Sequence, residues 1–282
     1  INTNKMQRLK ILIPTDFSVQ AEYAYLMVKR LELKIPVDIH FVHVMNVPDT
    51  VTMDSSGNIQ TCGEISIDYV RSQKAIAERN MNQLKTLYGE GIHTEIVLGK
   101  LTDKIISYST EHQFDLIVMG TKGAWGLKEK FSGSETQIIA RQSSIPLLSL
   151  MCDRSDLVIE RVLLVHDFSN PKNDHLKLLH KLIEAFQTKV HLLQIINDGQ
   201  ESKREQMLSD MDTYARVNGI ADYEKHLIKD TDVENGVIHF NQMHEMDVVC
   251  IGTHGKGGFF HQSATEKLIN HLYKPILSYH IQ

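Results

Sequence analysis

The chain has 282 residues, of which 42% are hydrophobic and 23% are charged, and its formal net charge is −5. This composition is typical of a globular protein and excludes a disordered or collagen-like chain. The negative charge argues against a general nucleic-acid binder, and no apolar run approaches the roughly 20 residues of a membrane span. The three cysteines are far apart and form no C-x-x-C pair. Neither a disulfide framework nor a cysteine-rich zinc site is therefore indicated, and a cytoplasmic location is expected.

Short apolar runs alternate with helical periodicity along the first half of the chain. The predicted strands are residues 9–13, 37–44, 93–97, 114–119 and 146–150. The predicted helices are residues 21–33, with Ser18 as the N-cap, and residues 67–87, 101–111 and 135–141. Strands that alternate with helices indicate βαβ units and a parallel sheet covered on both faces. Five strands fit a small doubly wound α/β domain.

The second half repeats the first. Residues 10–18, 115–123 and 144–149 recur in the same order as residues 161–169, 247–255 and 273–278. Further strands are predicted at residues 162–165, 189–195, 222–227, 248–251 and 276–279. Because chance matches would not keep this order, we predict two tandem copies of one domain, residues 1–152 and 153–282.

One segment breaks the repeat. Residues 46–64 have no counterpart in the second half, and their pattern predicts a hairpin that turns at residues 54–58. Long segments at strand ends are often functional. Two interpretations stay open, a lid or contact element and a mobile surface loop.

A glycine-rich segment follows the predicted strand at residues 114–119. Its pattern is G-x-x-G, nine residues and G-S, formed by Gly120, Gly123, Gly133 and Ser134, and a helix follows. Glycines let backbone N–H groups approach an anion closely, and the start of a helix favours a phosphate. The pattern therefore predicts a phosphate-binding loop, with a glycine-rich turn that holds no ligand as the alternative.

Asp16 stands at the carboxyl end of the first predicted strand, where open parallel sheets bind their ligands. A carboxylate at this place can accept hydrogen bonds from a ribose hydroxyl or an adenine amine, or help to hold a metal. It can equally cap the helix that follows.

Three groups of residues carry a family resemblance. The segment 14–18, the pair His43-Val44, and the segment that runs from Met119 to Ser134 resemble the universal stress protein family. The resemblance covers nearly the whole chain as two tandem copies, and the first copy is similar to the nucleotide-binding branch. It implies a five-stranded parallel sheet of order 3-2-1-4-5 in each copy, with ATP, ADP or AMP at the strand ends, with or without Mg²⁺.

The resemblance also implies a role for each matching residue of the first copy. The adenosine side would be lined by Pro14, Thr15, Asp16 and Val44. Ribose and phosphate would be covered by Met119, Gly120 and Gly123. The phosphates would be held by Gly133, Ser134 and Glu135, the last through its backbone N–H alone, since a carboxylate repels phosphate. The family further implies that domains pair through their last strands, which a tandem chain can satisfy as an internal pseudo-dimer, and a homodimer of whole chains stays open.

The second copy departs from the nucleotide-binding pattern. Its loop is three residues shorter, Gln262 replaces the glycine before Ser263, and His166 replaces Thr15. Residues 153–282 also carry the whole net charge of −5, whereas residues 1–152 are neutral. We expect a degenerate and mostly structural copy, with a second working site as the alternative.

Catalytic and metal-binding motifs are missing from the sequence. The fifteen histidines are scattered without an H-E-x-x-H pattern, so no metal site is expected. No catalytic base or arginine finger is evident near the loop, so ATP hydrolysis is expected to be slow or absent. The sequence therefore predicts a nucleotide-binding stress-response or regulatory module with one competent site. The alternatives are an interaction scaffold that uses no nucleotide, and an adenylating or ATP-hydrolysing enzyme.

Overall fold

The structure is a computed structural model that describes residues 8–62, 65–121, 132–168, 176–254 and 259–281. The strands of the first half are β1 (Leu9–Pro14), β2 (Val37–Met45), β3 (Val51–Met53), β4 (Ile59–Thr61), β5 (His93–Leu98), β6 (Leu116–Gly120) and β7 (Leu147–Leu150). Its helices are α1 (Val19–Glu32), α2 (Ile67–Tyr88), α3 (Leu101–Glu111) and α4 (Ser132–Gln142).

The described residues of the second half show the same alternation without a hairpin. Its strands are β8 (Arg161–Val165), β9 (Lys189–Ile196), β10 (Tyr223–Lys229), β11 (Val248–His254) and β12 (Ile276–Ile281). Its helices are α5 (Lys177–Phe186), α6 (Arg204–Val217), α7 (Val233–His244) and α8 (Phe259–His271), and a short 3-10 helix spans Asp198–Lys203.

Ten strands form one sheet in the order β10-β9-β8-β11-β12-β7-β6-β1-β2-β5. Every pairing is parallel except the one between β12 and β7, which is antiparallel. The prediction of an α/β fold with a mostly parallel sheet and flanking helices is confirmed. The two predicted groups of five strands share one continuous sheet.

Helices cover both faces of this sheet. One face packs against α1, α2, α5 and α6, and the buried side chains of that layer form one cluster that runs through both halves. The other face packs against α3, α4, α7 and α8. Two-sided burial explains why the central strands are continuous apolar runs, such as Ile11, Leu12 and Ile13, all fully buried.

Some element bounds differ from the prediction. The strand predicted from residue 114 begins at Leu116, because the Phe114 N–H still donates to the Ser109 carbonyl at the end of α3 (3.0 Å) and Gln113 has a φ of 52°. The predicted N-cap is confirmed, since Ser18 Oγ accepts the Ala21 N–H, although α1 begins at Val19.

The predicted hairpin is present. Strands β3 and β4 pair antiparallel, with Met53 opposite Ile59, so the turn lies at residues 54–58 as expected. Asp54 organises the turn by accepting the N–H groups of Ser56 and Asn58 through Oδ1. Val51 and Ile59 are buried in a small cluster with α2, so the hairpin packs on the protein and is not a free surface loop.

The antiparallel seam between β7 and β12 joins the two halves. Leu148 lies opposite Leu277. On either side the contacts are reciprocal, since Ser149 Oγ donates to the Ile276 carbonyl (3.5 Å) and Ser278 Oγ donates to the Leu147 carbonyl (3.3 Å). The last strands of the two halves therefore pair in the antiparallel direction.

Candidate functional site

The carboxyl ends of β1, β2 and β6 lie side by side in the first half of the sheet. They bring together the predicted residues Pro14, Thr15, Asp16, Val44, Met119 and Gly120. Gly123 lies outside the described residues. Gly133 and Ser134 lie in the first turn of α4, where only their backbone is described.

Thr15 organises the turn that ends β1. Its side chain is buried, and Oγ1 accepts the N–H of Phe17 at 3.0 Å, which holds Phe17 in the left-handed region with a φ of 64°. The Thr15 carbonyl accepts a hydrogen bond from His43 Nδ1 at 2.8 Å. The ring of His43 lies 4.6 Å from that of Phe17. These bonds fix the backbone at the edge of the crevice. The Thr15 hydroxyl therefore has a hydrogen-bond partner within the protein.

Asp16 is exposed at the mouth of the same crevice. Its Oδ1 accepts the Ser18 N–H at 3.0 Å, whereas the helix itself is capped by Ser18. One carboxylate oxygen of Asp16 thus stabilises the turn that precedes the N-cap residue Ser18. That bond is compatible with the ligand-binding alternative, because a carboxylate has further acceptor positions on its second oxygen.

Gly120 is required by packing. A Cβ at this position would lie 1.9 Å from the carbonyl oxygen of Gln20, in the first turn of α1. The glycine therefore lets α1 approach the end of β6, which is a different role from contact with ribose or phosphate. Beside it, Thr121 is buried, and its Oγ1 has no hydrogen-bond partner among the described residues.

Glu135 faces Asp16 across the crevice. Partial burial raises the pKa of the Glu135 carboxyl, and the charge of Asp16 raises it further. Two carboxylates near one another oppose the approach of a polyphosphate unless a cation accompanies it. The result agrees with the expectation that only the backbone N–H of Glu135 would serve a phosphate.

The second half builds the corresponding turn from a different side chain. His166 replaces Thr15, and its Nδ1 accepts the N–H of Phe168 at 2.8 Å, while Phe168 has a φ of 54°. The imidazole is buried between the rings of Phe168 and Tyr214. The same backbone turn is thus kept with a bulkier side chain.

Histidines that are scattered in the sequence come together with carboxylates in two groups. In the first half, Asp38, His40 and His93 bring ligand atoms within 4.8 Å of one another, and in the second half His191, Glu224 and His226 do the same. Sequence reasoning missed them because each group spans two strands that are distant in sequence. The available signal was a pair of ligating residues two apart on one strand, as at Glu224 and His226.

Two cavities flank the hairpin. One, of 560 Å³, is lined by the hairpin, α2 and β5, and includes Asp54, Lys74 and Glu78. The other, of 440 Å³, lies between the hairpin, β5 and α3. The hairpin therefore forms a wall of both cavities.

Within the described residues, no helix combines the length and apolar character needed to cross a membrane.

The chain is thus an α/β protein with a mostly parallel sheet and a candidate site at the carboxyl ends of its strands. Residues 8–150, half of the chain, match the sequence profile described as the universal stress protein family. The chain belongs to the universal stress protein family.

Similar proteins align either with about half of the chain or with nearly all of it. Universal stress proteins MJ0531 and MJ0577 of Methanocaldococcus jannaschii are 25% and 26% identical over 139 and 149 residues. Each alignment covers 49% of this chain, and they cover 79% and 92% of the respective relatives. The crystal structure of a universal stress protein from Archaeoglobus fulgidus superposes with a TM-score of 0.70 at 18% identity. The superposition covers 98% of this chain and 97% of the Archaeoglobus fulgidus chain. This last similarity shows that the whole chain shares the fold of that protein.

Proposed function

We propose that the chain binds an adenine nucleotide, ATP, ADP or AMP, at the carboxyl ends of β1, β2 and β6, and acts as a stress-response or regulatory module. The observation that carries the proposal is the start of α4. The helix begins at Ser132, three residues earlier than predicted, so the N–H groups of Gly133 and Ser134 fall in its first turn. Such N–H groups have no partner within a helix and favour a phosphate.

The other end of the crevice suits an adenosine group. Pro14 is half-buried at the end of β1 and offers apolar surface beside Val44, which is largely buried in β2. Asp16 offers a carboxylate that can accept from a hydroxyl or an amine. The adjacent charges of Asp16 and Glu135 favour a nucleotide that arrives with Mg²⁺, because oxygen-rich cation sites relieve carboxylate repulsion.

We also propose that residues 1–152 and 153–282 are tandem domains paired as an internal dimer. Three features support this organisation. The strands of both halves follow the same order from edge to seam. The seam has reciprocal bonds from Ser149 and Ser278. The strand-end turns at Thr15 and His166 share one hydrogen-bond pattern.

Only the first domain is proposed to bind the nucleotide. His166 places a buried imidazole where the first domain has a threonine, and Gln262 stands in place of Gly133. A side chain at the position of Gln262 removes the close backbone approach that a phosphate requires.

Equilibrium binding of a fluorescent ATP analogue tests the proposal. Gly133→Val is expected to abolish binding while the far-ultraviolet circular dichroism spectrum stays unchanged, because the added side chain occupies the space of a phosphate oxygen. Gln262→Val, at the corresponding position of the second domain, is the matched control and is expected to bind as the unaltered chain does. Equal binding by all three proteins would contradict the assignment of the phosphate site.

Two further outcomes separate the alternatives. Failure of the unaltered chain to bind any adenine nucleotide would favour the interaction scaffold. Sustained release of phosphate or pyrophosphate from bound ATP would favour an enzyme. Under the proposal, binding is measurable and turnover is slow or absent, since the described part of the crevice presents carboxylates and no arginine beside them.

A further inference from the structure

Three polar side chains converge on one face of the sheet in the second half. Glu224 and His226 are two residues apart on β10, so both point to the same face, and His191 lies directly opposite Glu224 on β9. The face is the one that α7 covers, since the ring of His226 lies 4.8 Å from that of Phe240. His191 and Glu224 lie near the amino ends of their strands and His226 lies at the middle of β10, whereas the proposed nucleotide site lies at the carboxyl ends of strands in the first half.

The ligand atoms of these side chains form a small triangle. His191 Nδ1 and His226 Nε2 are 3.0 Å apart. Glu224 Oε2 lies 3.7 Å from the first nitrogen and 3.8 Å from the second. A point equidistant from all three atoms lies about 2 Å from each, which is the bond length of zinc to imidazole nitrogen and carboxylate oxygen.

The neighbouring charges orient the carboxylate. Lys189 Nζ contacts Glu224 Oε1 at 2.6 Å, so the other oxygen is the one that faces the histidines. Arg161 donates to the carbonyl of His244, at the end of α7. The positive charges of Lys189 and Arg161 disfavour the binding of a cation. The negative charge of Glu224 and the partial negative charge at the carboxyl-terminal end of α7 favour it.

Burial favours the neutral form of both imidazoles. Burial lowers the pKa of His226 to about 4, with the neighbouring His191 as the next cause, and burial also lowers the pKa of His191. Metal ions bind the neutral form of imidazole. The ring of His244 lies 5.6 Å from that of His226, and either His244 or water can complete a fourth position.

The corresponding group in the first half is arranged differently. Asp38 Oδ2 contacts His40 Nε2 at 3.0 Å, while its other oxygen contacts His93 Nε2 at 3.4 Å. Each histidine thus pairs with its own carboxylate oxygen, and His93 is exposed. In this arrangement the carboxylate divides its two oxygens between the rings, and the group provides a natural control.

We propose that His191, Glu224 and His226 form a binding site for a divalent transition-metal ion of the zinc class. The ion would join the edge strand β10 to β9. Its coordination by two nitrogens and one carboxylate oxygen matches the ligand preferences of Zn²⁺.

Titration of Zn²⁺ into the full chain tests this site, with the protein free of any histidine tag and pretreated with a chelator. The unaltered chain is expected to bind one ion per chain. His226→Ala and Glu224→Gln are each expected to weaken binding by at least about tenfold, since they remove a ligand. His40→Ala, which alters only the group in the first half, is the matched control and is expected to leave the affinity unchanged.

Substitution of Co²⁺ gives a second readout that does not depend on affinity. Tetrahedral nitrogen and oxygen coordination is expected to produce a strong visible absorption band in the unaltered chain and in His40→Ala, and to be lost in His226→Ala. Should His226→Ala fail to fold, Glu224→Gln, which alters a half-exposed side chain, carries the same comparison. Absence of zinc binding by the unaltered chain, or equal losses in His40→Ala and the second-half variants, would overturn the proposal.

Discussion

At the scale of single residues, several positions that the family resemblance assigns to the nucleotide also have a structural role in the fold. The Thr15 hydroxyl accepts the N–H of Phe17, and Asp16 accepts that of Ser18. Gly120 is a close-packing residue against Gln20. The sequence predicted where these residues lie but not these contacts. The bonds of Thr15 and Asp16 are local, since each joins residues two apart in the chain. The Gly120 contact could not be predicted, because it depends on the approach of α1, which tertiary packing sets.

Gly120→Ala is expected to destabilise the protein by about 1–3 kcal/mol, because the added methyl group would overlap the backbone of α1 and force it to shift. Urea unfolding of the variant measures the loss. Gly91→Ala is the matched control, since a Cβ there meets nothing within 4 Å, and its free energy of unfolding is expected to stay nearly unchanged. Equal stability of the two variants would contradict the close approach of α1 to β6.

Substitution of Glu135 is expected to raise the affinity for ATP, whereas substitution of Gly120 is expected to lower stability. The pKa of the Glu135 carboxyl is raised in the folded chain, so the stability it contributes is present at low pH and is lost as the pH rises through the folded pKa. At neutral pH the ionised carboxylate therefore opposes folding and repels a phosphate. In the absence of Mg²⁺, Glu135→Gln is expected to tighten ATP binding about fivefold, the effect of removing a partly screened repulsion of about 1 kcal/mol.

Fluorescence titration of Glu135→Gln at neutral pH measures this change. Glu111→Gln, at the exposed end of α3, is the control and is expected to bind ATP unchanged. Weaker binding of ATP by Glu135→Gln in the absence of Mg²⁺ would instead mean that the carboxylate is a ligand of the nucleotide.

At the scale of elements, periodicity predicted the strands and helices of the first half and the strands of the second. The hairpin was predicted from its turn residues, because the Asp54 side chain fixes that turn locally. Its packing on α2 could not be predicted, since the hydrophobic cluster that holds Val51 and Ile59 forms only in three dimensions. The two histidine groups were missed for the same reason, because pairing between strands brings their members together.

Ile59→Ala is expected to destabilise the chain by about 2 kcal/mol or more, because it removes buried methyl groups from the cluster that holds the hairpin. Chemical unfolding measures the loss, and faster proteolysis within residues 50–62 is expected to accompany it. Gln60→Ala alters the exposed neighbour and is the control. If the two variants unfold and are cleaved alike, the hairpin does not depend on this cluster.

At the scale of the whole molecule, the antiparallel seam decides how the two halves assemble. The family resemblance implied that the domains pair through their last strands. Left unpaired, these two apolar strands would expose backbone groups at a sheet edge. The seam is reinforced beyond the strands, since Gln137 of α4 donates to the Glu266 carbonyl of α8 at 2.7 Å. Arg30 of α1 donates to the Leu157 carbonyl in the connection between the halves at 2.5 Å.

Residues 1–152 and 153–282, produced as separate polypeptides, are expected to bind each other in the micromolar range or more tightly. Each would otherwise leave a buried apolar strand, β7 or β12, exposed to water. Analytical ultracentrifugation of the mixture measures the association. Leu148→Asp in the first polypeptide is expected to abolish it, because a charge would face Leu277 across the seam. Two polypeptides that remain separate monomers would contradict the internal dimer.

The most direct test of the central claim, a single competent nucleotide site in the first domain, is calorimetric titration of the intact chain with ATP in the presence of Mg²⁺. The account predicts a stoichiometry of about one nucleotide per chain, because the first domain keeps Gly133 while the second has Gln262 in its place. A stoichiometry of two equivalent sites, or the absence of any binding, would contradict it.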